Sequence, residues 1–157
     1  LGMTETWFDR NTGQAISGCP NPRALKKEPG RFYFVNADFE SLRSDIEEIV
    51  RLARHYNQAP DDLKMIVTVS PVSLGRTFTE QDVITANSRS KCTLRAVADA
   101  FSYGTNWVDY YPSYEMVACG ERSQVFEEDM LHVRPTCVAE ITKRFLGLYI
   151  DSQGSEP

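Results

Sequence analysis

The chain has 157 residues, of which 41% are hydrophobic, and its 22 acidic and 17 basic side chains give a formal net charge of −5. This suits one folded domain with a core. It supplies no basic stripe to neutralise a phosphate backbone, which argues against nucleic acid as a partner. No apolar run approaches the roughly 20 residues that cross a bilayer, so no membrane span is expected, and no basic-then-apolar leader opens the chain.

The opening Leu1-Gly-Met-Thr-Glu-Thr-Trp7 lacks an initiator Met and reads as the end of a strand already under way, as in a piece of a longer protein. Residues 10–31 hold Asn11, Gly13, Gly18, Pro20, Asn21, Pro22, Pro29 and Gly30. These interrupt any continuous helix or strand and predict a long surface loop. Phe39, Leu42, Ile46, Ile49, Ala53 and Tyr56 then recur at helical spacing behind Asp38, a natural N-cap. Glu47 and Arg51, four residues apart in the favourable order, are expected to pair on its surface, worth about 0.3 kcal/mol. Met65 to Val69 is a short β-branched run closed by Ser70-Pro71, as expected of a strand buried on both faces of a parallel sheet. A second helix is expected over residues 87–103, with Leu94, Val97, Ala98 and Phe101 on its inner face and Gly104 as its C′ residue. Trp107 to Tyr111 reads as a second strand. The last helix should start at Pro135, which suits a first turn, and bury Val138, Ile141, Phe145 and Leu148. Residues 151–157 form a polar tail.

This order predicts an α/β fold, a three-layer α/β/α sandwich with a parallel sheet of the SGNH or flavodoxin-like kind, occupying residues 1–150. Two strands are too few for a free-standing parallel sheet. The domain is therefore expected to be incomplete at its N-terminus and to self-associate through an exposed sheet edge. Cys19, Cys92, Cys119 and Cys137 are scattered without a C-x-x-C pair, so neither a zinc ribbon nor a thioredoxin-like site is indicated. They read as reduced, mostly buried thiols, which favours a cytoplasmic setting.

Only two histidines are present to serve as a neutral-pH base. His55 falls on the polar face of the first helix and reads as a surface residue. His132 lies in Glu127-Glu128-Asp129-Met130-Leu131-His132-Val133-Arg134-Pro135, a loop ahead of the last helix. Asp129, three residues earlier, can hold one imidazole nitrogen and leave the other as a general base. A surface hydrogen bond is the plainer reading of the same spacing. A metal site from Glu127, Glu128, Asp129 and His132 is a weaker alternative, since zinc recruits more His or Cys. Ser70 stands at a strand end but lacks a G-x-S-x-G elbow, and Pro71 removes the following N–H. Ser88 and Ser90 read as part of a helix start. Tyr110, Tyr111 and Tyr114 are candidates for a carbohydrate site or, more plainly, for core and rim packing.

The Asp129-Met-Leu-His132 string before a C-terminal helix resembles the last block of SGNH hydrolases. Five further segments, in order along nearly the whole chain, resemble the GSCFA family of that superfamily. They are Leu1 to Trp7, Asn36-Ala-Asp-Phe39, Thr68-Val-Ser-Pro-Val72, Ala86-Asn-Ser-Arg-Ser-Lys-Cys-Thr-Leu-Arg95 and Tyr110-Tyr-Pro-Ser-Tyr-Glu115. The resemblance implies that Asp129 and His132 are the acid and base of a Ser-His-Asp triad. It also places Gly2 to Glu5 where many SGNH enzymes carry G-x-N-D, whose Asn donates to the oxyanion hole, so Gly2 and Thr4 become oxyanion candidates, with Thr4 in place of that Asn. The Gly-Ser-Cys-Phe-Ala block with its nucleophilic Ser does not occur here and is expected upstream of Leu1. The implied activity is that of a serine esterase or acyltransferase on an ester-bearing small molecule or acylated carbohydrate, needing no metal or organic cofactor. A non-catalytic interaction or scaffold domain that keeps the fold is the alternative.

Overall fold

The computed structural model describes residues 1–150, and the tail expected at 151–157 lies outside the described residues. The chain forms β1 (Glu5–Asp9), β2 (Ala15–Ile16), α1 (Pro22–Lys27), β3 (Phe32–Asn36) and α2 (Phe39–Tyr56). A 3-10 turn at Pro60–Asp62 leads into β4 (Met65–Thr68), α3 (Val83–Ser102) and β5 (Val108–Tyr111). The chain closes with α4 (Ser113–Ala118), α5 (Arg122–Val125) and α6 (Pro135–Tyr149). It is an α/β fold in which β4 and β5 pair in parallel, Met65 opposite Val108 through Thr68 opposite Tyr111.

The long expected loop instead contains β2 and α1. Pro22 stands in the first turn of α1, where its missing N–H is no loss, and Asn21 caps it by accepting the Arg23 N–H. β1 pairs antiparallel with both β2 and β3, a three-stranded sheet the hydrophobic periodicity did not predict. Its register puts Trp7 opposite Phe34 and Phe8 opposite Tyr33. Trp7, Phe34 and Phe78 then cluster on one face, while Phe8 stacks on Tyr33 across the other.

Asp38 caps α2 as expected, accepting the Ser41 N–H at 2.9 Å. Phe39, Leu42 and Ile46 face inward as expected, but Val50 is buried in place of Ile49, and Ile49 and Tyr56 are exposed. The surface pairs also differ: Arg43 binds Glu47 at 2.9 Å and Arg51 binds Glu48 at 2.6 Å, because an arginine reaches a carboxylate three or four residues away in either direction. α3 starts at Asp82, which accepts the Ile84 and Thr85 N–H groups, and not near Ser88 and Ser90, which lie inside the helix. At its C-terminus Gly104 takes a left-handed φ of 74° that a side chain would oppose.

Leu94, Val97 and Ala98 of α3 meet Val67 and Val108 of the parallel pair, Val69 just beyond β4, and Ile46 and Val50 of α2. Each fully buried aliphatic side chain here contributes about 1.5–3 kcal/mol. β4 is not buried on both faces, since Ile66 is 38% exposed. On β5 alternation sends Val108 and Tyr110 towards α3, and Tyr111 towards Phe145 and Tyr149 of α6. α6 packs through Ile141, Phe145 and Tyr149, leaving Val138 and Leu148 exposed where the periodicity had buried them. The cysteines form no disulfide, and Cys19, Cys92 and Cys119 are exposed with Cys137 half-buried, contrary to the expected burial. A small thiol in an amphipathic segment follows the face it falls on.

Candidate acid and base site

The backbone between α5 and α6 folds back on itself. Phe126 bridges Val133, the Glu127 N–H donates to the His132 carbonyl at 2.8 Å, and the Met130 N–H donates to the Glu127 carbonyl at 3.0 Å. Arg134 locks the base of this loop, its N–H on the Val125 carbonyl at 2.9 Å and its Nε on the Phe126 carbonyl at 2.7 Å. Met130 at the tip has a φ of 59°, the only left-handed non-glycine residue described. That turn brings Asp129 over its own successors. Its Oδ1 accepts the Leu131 and His132 N–H groups at 2.9 and 3.0 Å, while Oδ2 meets His132 Nδ1.

The sequence pair is therefore a contact pair in the structure. The imidazole and the two N–H bonds hold the Asp129 carboxyl down at about 2. Hydrogen bonding to Asp129, with its charge and then that of Glu127, raises the His132 pKa. The α6 N-terminus close by opposes the imidazolium, and the carboxylate outweighs it. With Nδ1 engaged, Nε2 has no partner among the described residues, and 74% of the His132 side chain is exposed. An oriented imidazole with a free, accessible nitrogen can accept a proton from a hydroxyl brought to it.

The other candidates lie elsewhere. Thr4 is 2% exposed; its N–H donates to Ser90 Oγ at 3.0 Å and its hydroxyl to Asn36 Oδ1 at 2.7 Å. Both of its donors are engaged inside the protein, so Thr4 is not placed as the expected Asn would be. Gly2 is exposed, and its carbonyl accepts from Lys91 Nζ at 2.9 Å. Ser70 Oγ accepts the Val72 N–H at 3.3 Å and caps the strand end. His55 is exposed beside Tyr56. Tyr111 is buried with its hydroxyl on the Ile141 carbonyl at 2.5 Å, and Tyr110 binds Glu115 beneath Arg95, so these tyrosines pack elements together. Among the described residues no three His, Cys, Asp or Glu side chains converge to hold a metal ion, the 127–132 loop included.

Sequence reasoning passed over a cleft of about 560 Å³ lined by Met3, Glu5, Trp7, Gly75, Arg76 and Phe78, among others. Leu131 Cδ1 lies 3.7 Å from where a Gly75 Cβ would stand, so the histidine loop comes beside one residue of the cleft lining without itself lining the cleft. Glu5, 7% exposed, is held there by the Thr77 hydroxyl at 2.6 Å and the Phe78 N–H at 3.0 Å.

A mixed helix and strand domain with a parallel pair, and an Asp-His pair in the loop before the last helix, define an α/β protein with the elements of acid–base chemistry. The chain belongs to the GSCFA family, whose model matches residues 1–145. No curated protein and no solved structure matches it.

Proposed function

We propose that this chain is the base-bearing part of an SGNH-like serine esterase or acyltransferase acting on oxygen esters, an acylated carbohydrate among them. The observation that carries this reading is His132, whose Nδ1 is held by Asp129 and whose Nε2 has no partner among the described residues, in a loop whose Leu131 stands beside Gly75 of a cleft. In this reading a serine from the Gly-Ser-Cys-Phe-Ala block upstream of Leu1 is the nucleophile. His132 takes its proton and returns it to the leaving alkoxide, Asp129 orients the ring and stabilises the imidazolium, and backbone N–H groups meet the oxyanion.

The fold supports the same reading. Leu1 is bracketed by β4 as in a parallel ladder, its nitrogen donating to the Thr68 carbonyl at 2.7 Å and its carbonyl accepting the Ser70 N–H at 2.8 Å. A parallel strand entering at Leu1 would widen the β4–β5 pair. With α3 and α6 on opposite faces of β5, it would extend them into the three-layer sandwich.

The test is fluorophosphonate labelling with p-nitrophenyl acetate turnover. The 157-residue chain alone is expected to show neither above a His132→Ala control, because the base has no serine to activate. A protein with the upstream block restored is expected to show both, and His132→Ala in it to abolish most of the rate, since triad members act as a unit. Labelling of the short chain at Ser70 or another local serine would refute the missing nucleophile. Inactivity of the longer protein would favour a non-catalytic scaffold.

A further inference from the structure

Lys91 is 2% exposed on the inner face of α3, among Leu94, Val97 and Ala98. Among the described residues its ammonium has one acceptor, the Gly2 carbonyl at 2.9 Å, and no carboxylate within ion-pair distance. A lysine so placed is not explained by stability. A buried charge with a single neutral acceptor costs more than a methionine of similar shape. Desolvation lowers its pKa to about 8, so the proton is held at a cost.

The ammonium instead fixes a peptide. Two successive α3 residues hold the opening segment, Ser90 through the Thr4 N–H and Lys91 through the Gly2 carbonyl, while Leu1 is bonded to β4 on the other side. No peptide bond among the described residues is cis, so the Met3 N–H points opposite to the Gly2 carbonyl, away from Lys91. No described residue accepts from it, and Met3 is 54% exposed on the cleft, where Leu131 of the histidine loop stands beside the lining residue Gly75. A charged donor on the carbonyl also polarises the peptide and strengthens its N–H as a donor.

We infer that Lys91 is a positioning residue whose ammonium holds and polarises the Gly2–Met3 peptide so that the Met3 N–H donates to the oxyanion formed from an oxygen ester in the cleft. This rests on the ester-chemistry reading above, and it replaces Thr4 with a backbone donor that the fold leaves unengaged. The Met3 N–H stays bonded to its nitrogen throughout, and the serine proton still goes to His132.

The experiment uses the full-length protein carrying the upstream block, with ester turnover measured for wild type, His132→Ala, Lys91→Met and Lys91→Gln. Both Lys91 variants are expected to lose about 10- to 100-fold in kcat, the scale of a weakened oxyanion donor. KM is expected to stay within about twofold, since the donor acts on the transition state. Lys91→Met is expected to melt no lower than wild type. Because a core variant can fail to fold, a second probe replaces Met3 by the α-hydroxy acid analogue of methionine, which removes only the N–H. A kcat loss at least as large, about 100- to 1,000-fold, is expected, with no further loss when it is combined with Lys91→Met. An active wild type that His132→Ala silences, but whose kcat survives both the Lys91 changes and the N–H deletion, overturns this inference alone. A change in KM with kcat intact overturns it too. An inactive wild type overturns the esterase reading, and this inference with it.

Discussion

The Ser90 hydroxyl accepts the Thr4 N–H at 3.0 Å, joining residues 86 positions apart in a site where Thr4 is 2% and Ser90 1% exposed. Ser90→Ala keeps the helix but strands a buried N–H. A loss of about 1–3 kcal/mol is expected. It should appear as a lower urea midpoint at unchanged slope, and an unmoved midpoint would show that water reaches the group.

The Asp129–His132 contact sets a pH dependence. His132 is raised, so its share of the pairing is complete below the unfolded value near 6.5 and fades as pH rises through the folded value. Asp129 is depressed, so its share is present above about 3.9 and fades as pH falls towards 2. In the proposed ester chemistry the base is the neutral imidazole, so the rate of a protein with the upstream block restored should rise with pH through the raised His132 value. Asp129→Asn should move the His132 NMR titration and the acid limb down towards about 6.5. The plateau should drop by about 100-fold or more. An unchanged titration would deny the contact in solution.

Met130 carries the left-handed turn that lets Asp129 reach back to the Leu131 and His132 N–H groups. Met130→Gly removes a strain of about 1 kcal/mol but frees the unfolded chain, so stability should be nearly unchanged. Met130→Val, with a branched side chain at positive φ, should destabilise by about 1–3 kcal/mol and disturb the His132 resonance. A silent Met130→Val would mean that the loop does not depend on this turn.

α6 has no buried residue and rests on α4 and on Tyr111, which packs on Phe145 and Tyr149 and bonds the Ile141 carbonyl. Its amides should exchange with solvent faster than those of α3, which has six buried residues. Tyr111→Phe should widen the difference at a cost of about 1 kcal/mol. Equal protection of the two helices would contradict this picture.

Ile66, Leu148 and Ile150 are exposed apolar side chains, and β5 has one unpaired edge among the described residues. The 157-residue chain is expected to associate with rising concentration in sedimentation. A monomer at every concentration would show that this edge is protected.

The sequence alone determined the features that depend on near neighbours. Asp38, Pro135 and Gly104 mark helix ends because capping and φ preference act within a turn, and Asp129 with His132 needed only a tight loop to meet. Tertiary structure decided the rest. The β2-β1-β3 sheet escaped notice because Phe32 to Val35 is apolar or aromatic at every position and shows no alternation, and its faces are set only by Trp7, Phe8 and Phe78 from elsewhere. On α2, Phe39, Leu42 and Ile46 kept the face their spacing gave them, and only Val50 displaced Ile49, because it is Val50 that meets Val97 of α3. Lys91 was legible as a charge at core spacing with Leu94 and Ala98, yet its partner, the Gly2 carbonyl, lies 89 residues away, a distance that no local pattern spans.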